Sequence, residues 1–318
     1  MSPRYRPIAP DEPEHEHDCP GCAKKRAFDA EAAYRRLTQK HMQLANLVSE
    51  YMSKAGMERT RRVSDAERLA LQIDRIVGGQ PATADEFPEC CLVGKKNPNG
   101  TIRWFCTGVL VHPRVVLTAG HCHVSNMVAN VVALHASDQA DLSSADVVPV
   151  LRMVANPLYV QTRTVHDISV MILRNAAQTA PIGIATTKEL NAAQQTTLVG
   201  FGNSDFQSTK GFGIKRKVTV DITEVQRKAG KDLGDVEEKL GFDSNLEFVA
   251  GGGGFDSCNG DSGGPAYITV GAKRKVAGVT SRAIEGAVDP CGEGGIYSRI
   301  DTNLTFVKKV ASDAGIKL

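Results

Sequence analysis

The chain has 318 residues, a formal net charge of +2, and 42% apolar against 23% charged residues. That balance suits a globular protein with a real core and gives no global pull toward nucleic acid or an anionic membrane. No apolar run approaches the roughly 20 residues that a membrane span needs.

In chain order, the opening MSPRYRPIAPDEPEHEHDCPGC is rich in proline and charge and lacks the apolar core of a secretory leader. Residues 1–26 are expected to form a disordered polar head. Within it, His15, His17, Cys19 and Cys22 offer a tetrahedral zinc set or a redox dithiol, although the βαβ context of the latter is absent. Incidental residues of a polar head are the third reading and the one expected. Over residues 27–75 the period becomes helical. Leu37, Leu44, Val48, Tyr51 and Ala55 make one stripe that Gly56 can stop, and Ser64 and Glu67 form a capping-box pattern ahead of Leu69, Leu71 and Ile73. From residue 76 the texture changes. Short β-branched runs such as RVVLTA, DVVPVLRMV, ISVMIL, TTLVGFG, KVTVDIT, PAYITV and KVAGVTS stand between Gly, Pro, Asn and Asp clusters. Many short strands over about 240 residues predict an all-β domain of barrels or a sandwich. The tail DTNLTFVKKVASDAGI returns to a helical period.

Three stretches carry chemistry. CNGDSGGPA surrounds Ser262 with glycines that let backbone N–H groups turn toward a substrate carbonyl. A serine hydroxyl needs a base to become a nucleophile. His121 in LTAGHCH offers the base, and Asp167 at the head of DISVMIL offers a carboxylate to orient it. A fourth stretch, DRIVGGQP, reads like a second N-terminus inside the chain.

Together IVGG, TAGHC, DISVMIL and GDSGGP resemble, in order and approximate spacing, the chymotrypsin-like (trypsin) serine peptidase family over residues 76 to about 310. The resemblance implies two six-stranded antiparallel β-barrels with a C-terminal helix over residues 76–318, preceded by a helical pro-segment. It implies a serine endopeptidase with His121 as base, Asp167 orienting it and Ser262 as nucleophile. The backbone N–H groups of Gly260 and Ser262 would form the oxyanion hole. Cleavage after Arg75 would free the Ile76 amine to pair with Asp261, so the uncut chain would be a zymogen. Asp256 matches the carboxylate at the base of the first specificity pocket, which favours Arg or Lys substrates, and Gly295 matches a small residue in the pocket wall. Ser281 matches the serine of the substrate-binding strand. The family's usual Ser-Trp-Gly run reads Ser281-Arg282-Ala283 here, which puts the outer subsites in doubt. Arg282 lies on the strand that would run beside the substrate; it is expected to point to water, and the sharper alternative is that it offsets the charge of Asp74.

Cys106 and Cys122, and Cys258 and Cys291, match two of the family's disulfide pairs. Cys90 and Cys91 have no family partner and are expected to be buried free thiols. Two disulfides point to an oxidising compartment and the missing leader to the cytosol; family habit tilts the expectation to secretion. Protein or peptide substrates are implied, with no cofactor and no nucleic acid, and the N-terminal helices have an unknown partner to recruit. The alternative from another class is a catalytically silent family member that uses the fold as a binding module.

Overall fold

A computed structural model describes residues 79–123, 128–159, 165–204, 211–226, 233–288 and 291–318. All lie in the second of the two units into which the chain divides, Leu71–Leu318. The polar head, the helical pro-segment, the His15, His17, Cys19 and Cys22 group, and Arg75 and Ile76 lie outside the described residues.

After a short β1 (Gln80–Pro81), the first six strands are β2 (Cys90–Lys96), β3 (Ile102–His112), β4 (Val115–Thr118), β5 (Val131–Leu134), β6 (Asp146–Ala155) and β7 (Ser169–Leu173). They close an antiparallel barrel in the order β2-β3-β4-β7-β6-β5. A second six close in the order β8-β9-β10-β13-β12-β11: β8 (Gln195–Gly200), β9 (Arg216–Glu224), β10 (Glu247–Ala250), β11 (Pro265–Val270), β12 (Lys273–Ala283) and β13 (Gly295–Arg299). Closure leaves neither barrel with a free run of unpaired backbone donors; β1 adds to the outside of the second by pairing with β9.

The period-2 alternation decides which side chains fill each barrel. In β4, Val116 packs inside the first barrel with Cys91, Leu110 and Met171. Its neighbours Val115 and Leu117 face the other way, into a layer shared with Val199, Tyr267 and Val279 of the second barrel. Inside the second barrel lie Leu198, Val218, Val220, Ile222 and Phe248. The functional residues therefore sit on strand ends anchored in a common packed layer.

Among the described residues, three α-helices accompany the strands. The predicted C-terminal helix is α3 (Leu304–Ser312), which buries Val307, Val310 and Ala311, and Arg152 donates to the Val310 carbonyl at 2.9 Å. Two others were not read from the sequence: α1 (Thr187–Ala192), held by a Thr186–Glu189 capping box, and α2 (Gly234–Leu240), ended by Gly241 at φ +70°. Both are one or two turns long, too short for a 3.6-residue period to register. The disulfides are Cys106–Cys122 and Cys258–Cys291, while Cys90 and Cys91 are free and fully buried, as expected.

Burial raises both free thiols well above the ordinary range, so neither forms a thiolate in the native state. Alkylation of the folded protein by iodoacetamide at pH 8, read by peptide mass mapping, should leave Cys90 and Cys91 unmodified. Both should react once the chain is unfolded. Modification of Cys90 in folded protein would show that the shared layer opens, and modification of Cys91 that the first barrel does.

Candidate active site

The site is built where ends of the two barrels meet. β4 ends at Thr118, and a 3-10 turn, Gly120–Cys122, carries His121 away from it. Gly120 is small for a reason: a Cβ there would stand 3.0 Å from Asp167 Oδ1. The carboxylate thus slides beneath the turn. Asp167 precedes β7 and is 1% exposed. It is set by His166, whose φ is +55°, and by the His166 ring and Asn156 amide both meeting Asn303 Oδ1.

Three donors converge on Asp167. The His121 backbone N–H donates to Oδ1 at 2.8 Å, His121 Nδ1 meets Oδ2 at 2.8 Å, and Ser281 Oγ donates to Oδ2 at 2.6 Å. An ionised carboxylate only accepts. In its neutral form His121 therefore carries its proton on Nδ1 and leaves Nε2 as an acceptor, on a side chain that is 33% exposed.

Ser262 belongs to a tight turn fastened to the first barrel. The Thr107 N–H donates to the Ser262 carbonyl at 2.9 Å, and the Thr107 hydroxyl donates to the Gly260 carbonyl at 3.0 Å. Gly263, at φ +78°, leaves room for Thr118: a Cβ would lie 2.0 Å from its Oγ1 and 2.5 Å from the Ala119 nitrogen. The residue after Ser262 thus abuts the segment that leads to His121. Gly260 has φ +96°, and a side chain there would run into Phe212.

Asp261 is 2% exposed. Its oxygens accept from the Gly202 and Cys258 N–H groups, each at 2.8 Å. Burial pushes its carboxyl up to about 6, against these two donors. Asp256 has a parallel situation. It is 1% exposed, and it accepts from the Ser257 N–H at 2.7 Å, the Tyr297 hydroxyl at 3.0 Å and the Gly294 N–H at 3.2 Å. Burial is again the largest influence and takes its carboxyl up to about 6. Gly295 keeps the space beside it open, since a Cβ would lie 2.7 Å from Asp256 Oδ1, and Gly295 pairs with Ala283 across β12 and β13.

Arg282 departs from expectation. Its guanidinium turns to Glu247, donating from Nη1 to Oε1 at 2.5 Å and from Nη2 to Oε2 at 3.0 Å, and it also donates to the Gly241 carbonyl at 2.7 Å. Glu247 is fully buried. A buried carboxylate without a partner is costly, so the Arg282 cation serves Glu247; Asp74 lies outside the described residues. Sequence reading also missed Thr107, Ser257 and Tyr297. Thr107 and Tyr297 act through hydrogen bonds to residues distant in sequence, Ser257 acts on its neighbour Asp256, and none belongs to a recognisable local pattern.

The comparisons agree with this geometry. The trypsin family model matches residues 76–307. A trypsin of Saccharopolyspora erythraea is 30% identical over 230 residues, which is 71% of this chain and 93% of that protein. The CLIP domain-containing serine protease B4 of Anopheles gambiae is 26% identical over 259 residues, 74% of this chain and 70% of that one. Serine protease snk of Drosophila melanogaster is 29% identical over 266 residues, 79% of this chain and 60% of that protein. Two closed barrels with His121 and Asp167 on one and Ser262 and Ser281 on the other, matched along nearly the whole described region, make this chain a member of the trypsin family of serine peptidases.

Proposed function

We propose that the protein is a serine endopeptidase, made as a zymogen, that cleaves peptide bonds after Arg or Lys. The observation that carries this reading is the Asp167 carboxylate, which holds His121 by both its backbone N–H and its Nδ1. In this mechanism Ser262 Oγ attacks the carbonyl carbon as its proton passes to His121 Nε2. The oxyanion accepts from the N–H groups of Gly260 and Ser262. His121 then protonates the leaving amine, and an acyl-enzyme forms on Ser262. Water attacks that ester by the same route reversed, and Ser262 is released.

Asp256 supports the preference for a cation. A substrate guanidinium or ammonium would meet a carboxylate that already has four protein donors and lacks only a counter-charge. Activation is supported by reach. Pro81 stands opposite Arg216, and Arg216 opposite Gly200, which lies against Asp261. Those two strand spacings amount to about 10 Å. The four residues Ile76 to Gly79 can span about 13 Å. A freed Ile76 amine is thus within reach of the Asp261 carboxylate.

Replacing Ser262 by Ala should lower kcat by about a millionfold, leave the melting temperature unchanged and abolish labelling by a fluorophosphonate. Turnover near that of the parent would remove Ser262 from the mechanism, and a parent that takes no label would favour a silent binding module.

The pH dependence of preference isolates Asp256. Its carboxyl ionises at about 6, so the charged form that attracts a cation is present above that pH and lost below it. The ratio of kcat/KM for an Arg substrate to that for an uncharged analogue should rise as pH increases through about 6. The ratio cancels the shared contribution of His121. Asp256→Asn should flatten this profile and lower the preference roughly a hundredfold or more. A flat ratio in the parent would rule out a charge-reading pocket.

Arg75→Gln, with intact mass verified, should give a chain whose turnover is far below that of protein cut after Arg75. Equal rates would end the zymogen reading.

A further inference from the structure

The inward face of β9 reads Arg216, Val218, Val220 and Ile222, all buried. Three of these fill the second barrel. The fourth puts a guanidinium where the alternation calls for an apolar side chain. Arg216 is 4% exposed, and its Nε and Nη1 have no hydrogen-bond partner. Buried donors left unpaired are costly, so the arginine calls for a reason.

The register supplies one. Arg216 is directly opposite Gly200, so the two residues point to the same face of the sheet. On that face Gly200 has no side chain, and its place is taken by Asp261: a Cβ at Gly200 would lie 2.1 Å from Asp261 Oδ1. A guanidinium with free donors and a carboxylate held only by two backbone N–H groups are thus neighbours across one strand spacing. No ion pair of 4.0 Å or less joins them, yet the charge of Arg216 already acts on Asp261, opposed by the like charge of Asp256. A long, flexible side chain needs only a rotamer change to close such a gap.

We infer that Arg216 is an internal counter-ion for Asp261 in the uncut chain, holding the Gly260–Ser262 turn in a partly competent form before cleavage. Arg216 is a positioning residue here, since it touches no reacting atom. The inference rests on the reading that Asp261 orders this turn when it gains a cation. After cleavage the Ile76 ammonium supplies that charge, and Arg216 becomes redundant. The precursor is therefore a leaky zymogen, with a basal activity set by Arg216.

The test uses the full chain in two states: uncut, fixed by Arg75→Gln, and cut after Arg75. Turnover of an Arg ester substrate is measured in each, with Arg, Lys or Gln at position 216. The uncut chain should show measurable turnover. Arg216→Gln should lower it about a hundredfold, the scale of losing one member of a buried pair, and Arg216→Lys should restore most of it. In the cut chain the same substitutions should change turnover only a few-fold. Equal loss in both states would make Arg216 merely structural and overturn the inference. So would uncut turnover that is absent with Arg216 present, or that is unchanged by Arg216→Gln. Those results leave the zymogen reading standing. Parent uncut and cut chains of equal activity, with only the uncut chain losing turnover on Arg216→Gln, would do the reverse: the zymogen reading would fall and the counter-ion role would hold. Active-site titration of each variant gives the folded fraction in the cut state, and Arg216→Lys keeps the charge should Arg216→Gln fold poorly.

Discussion

Two carboxylates buried without a cation govern this site. Asp256 and Asp261 lie five positions apart in one loop, each 1–2% exposed and each held by hydrogen-bond donors alone. Raising a carboxyl from 3.8 to about 6 corresponds to about 3 kcal/mol in favour of its protonated form. Because the folded-state value lies above the unfolded one, the native state binds the proton more readily. The penalty is fully present above about pH 6 and gone below about pH 4. At neutral pH the loop is thus less stable than its hydrogen bonds suggest, and any cation that arrives is stabilising. Under the proposed function that cation would be a substrate side chain for Asp256, and the Ile76 amine or Arg216 for Asp261.

Around this loop the rest of the structure is arranged so that little else can move. Thr107 of β3 holds the turn from below by its N–H and its hydroxyl, and that hydroxyl also accepts from the Phe201 N–H at 3.2 Å. Gly263 and Gly200 permit approaches that a methyl group would block, the first to Thr118 and the second to Asp261. The disulfide Cys106–Cys122 joins β3 to the turn that carries His121 across 16 positions, worth about 3 kcal/mol in the chain-entropy model. Cys258–Cys291 braces the other side, beside Asp256 and Gly294. The first barrel orients His121 and, through Thr107, fastens the turn that the second barrel carries, and both barrels share one apolar layer.

The Arg282–Glu247 pair shows how a departure from the family pattern is absorbed. An apolar residue at position 282 would need an apolar neighbour. An arginine there is matched by a carboxylate on β10, and β10 and β12 lie on either side of β13. Arg282 consequently sits in an ion pair with Glu247.

Much of the fold was legible in the sequence because it rests on short-range pattern. Alternating β-branched runs became strands, the helical tail became α3, and both disulfides formed between the cysteines that the resemblance paired. His121, Asp167 and Ser281 could be singled out because they sit in recognisable local motifs, and the fold brings them within hydrogen-bonding distance. The partner of Arg282, the tyrosine on Asp256, the threonine beneath the turn and the guanidinium behind Gly200 were not legible. Each depends on a pair of residues far apart in the chain: 35 positions for Arg282 and Glu247, 41 for Asp256 and Tyr297, 153 for Thr107 and Gly260. Periodicity tells which face of a strand a side chain takes. Which residue waits for it across the barrel is decided by register and closure, and these belong to the folded chain alone.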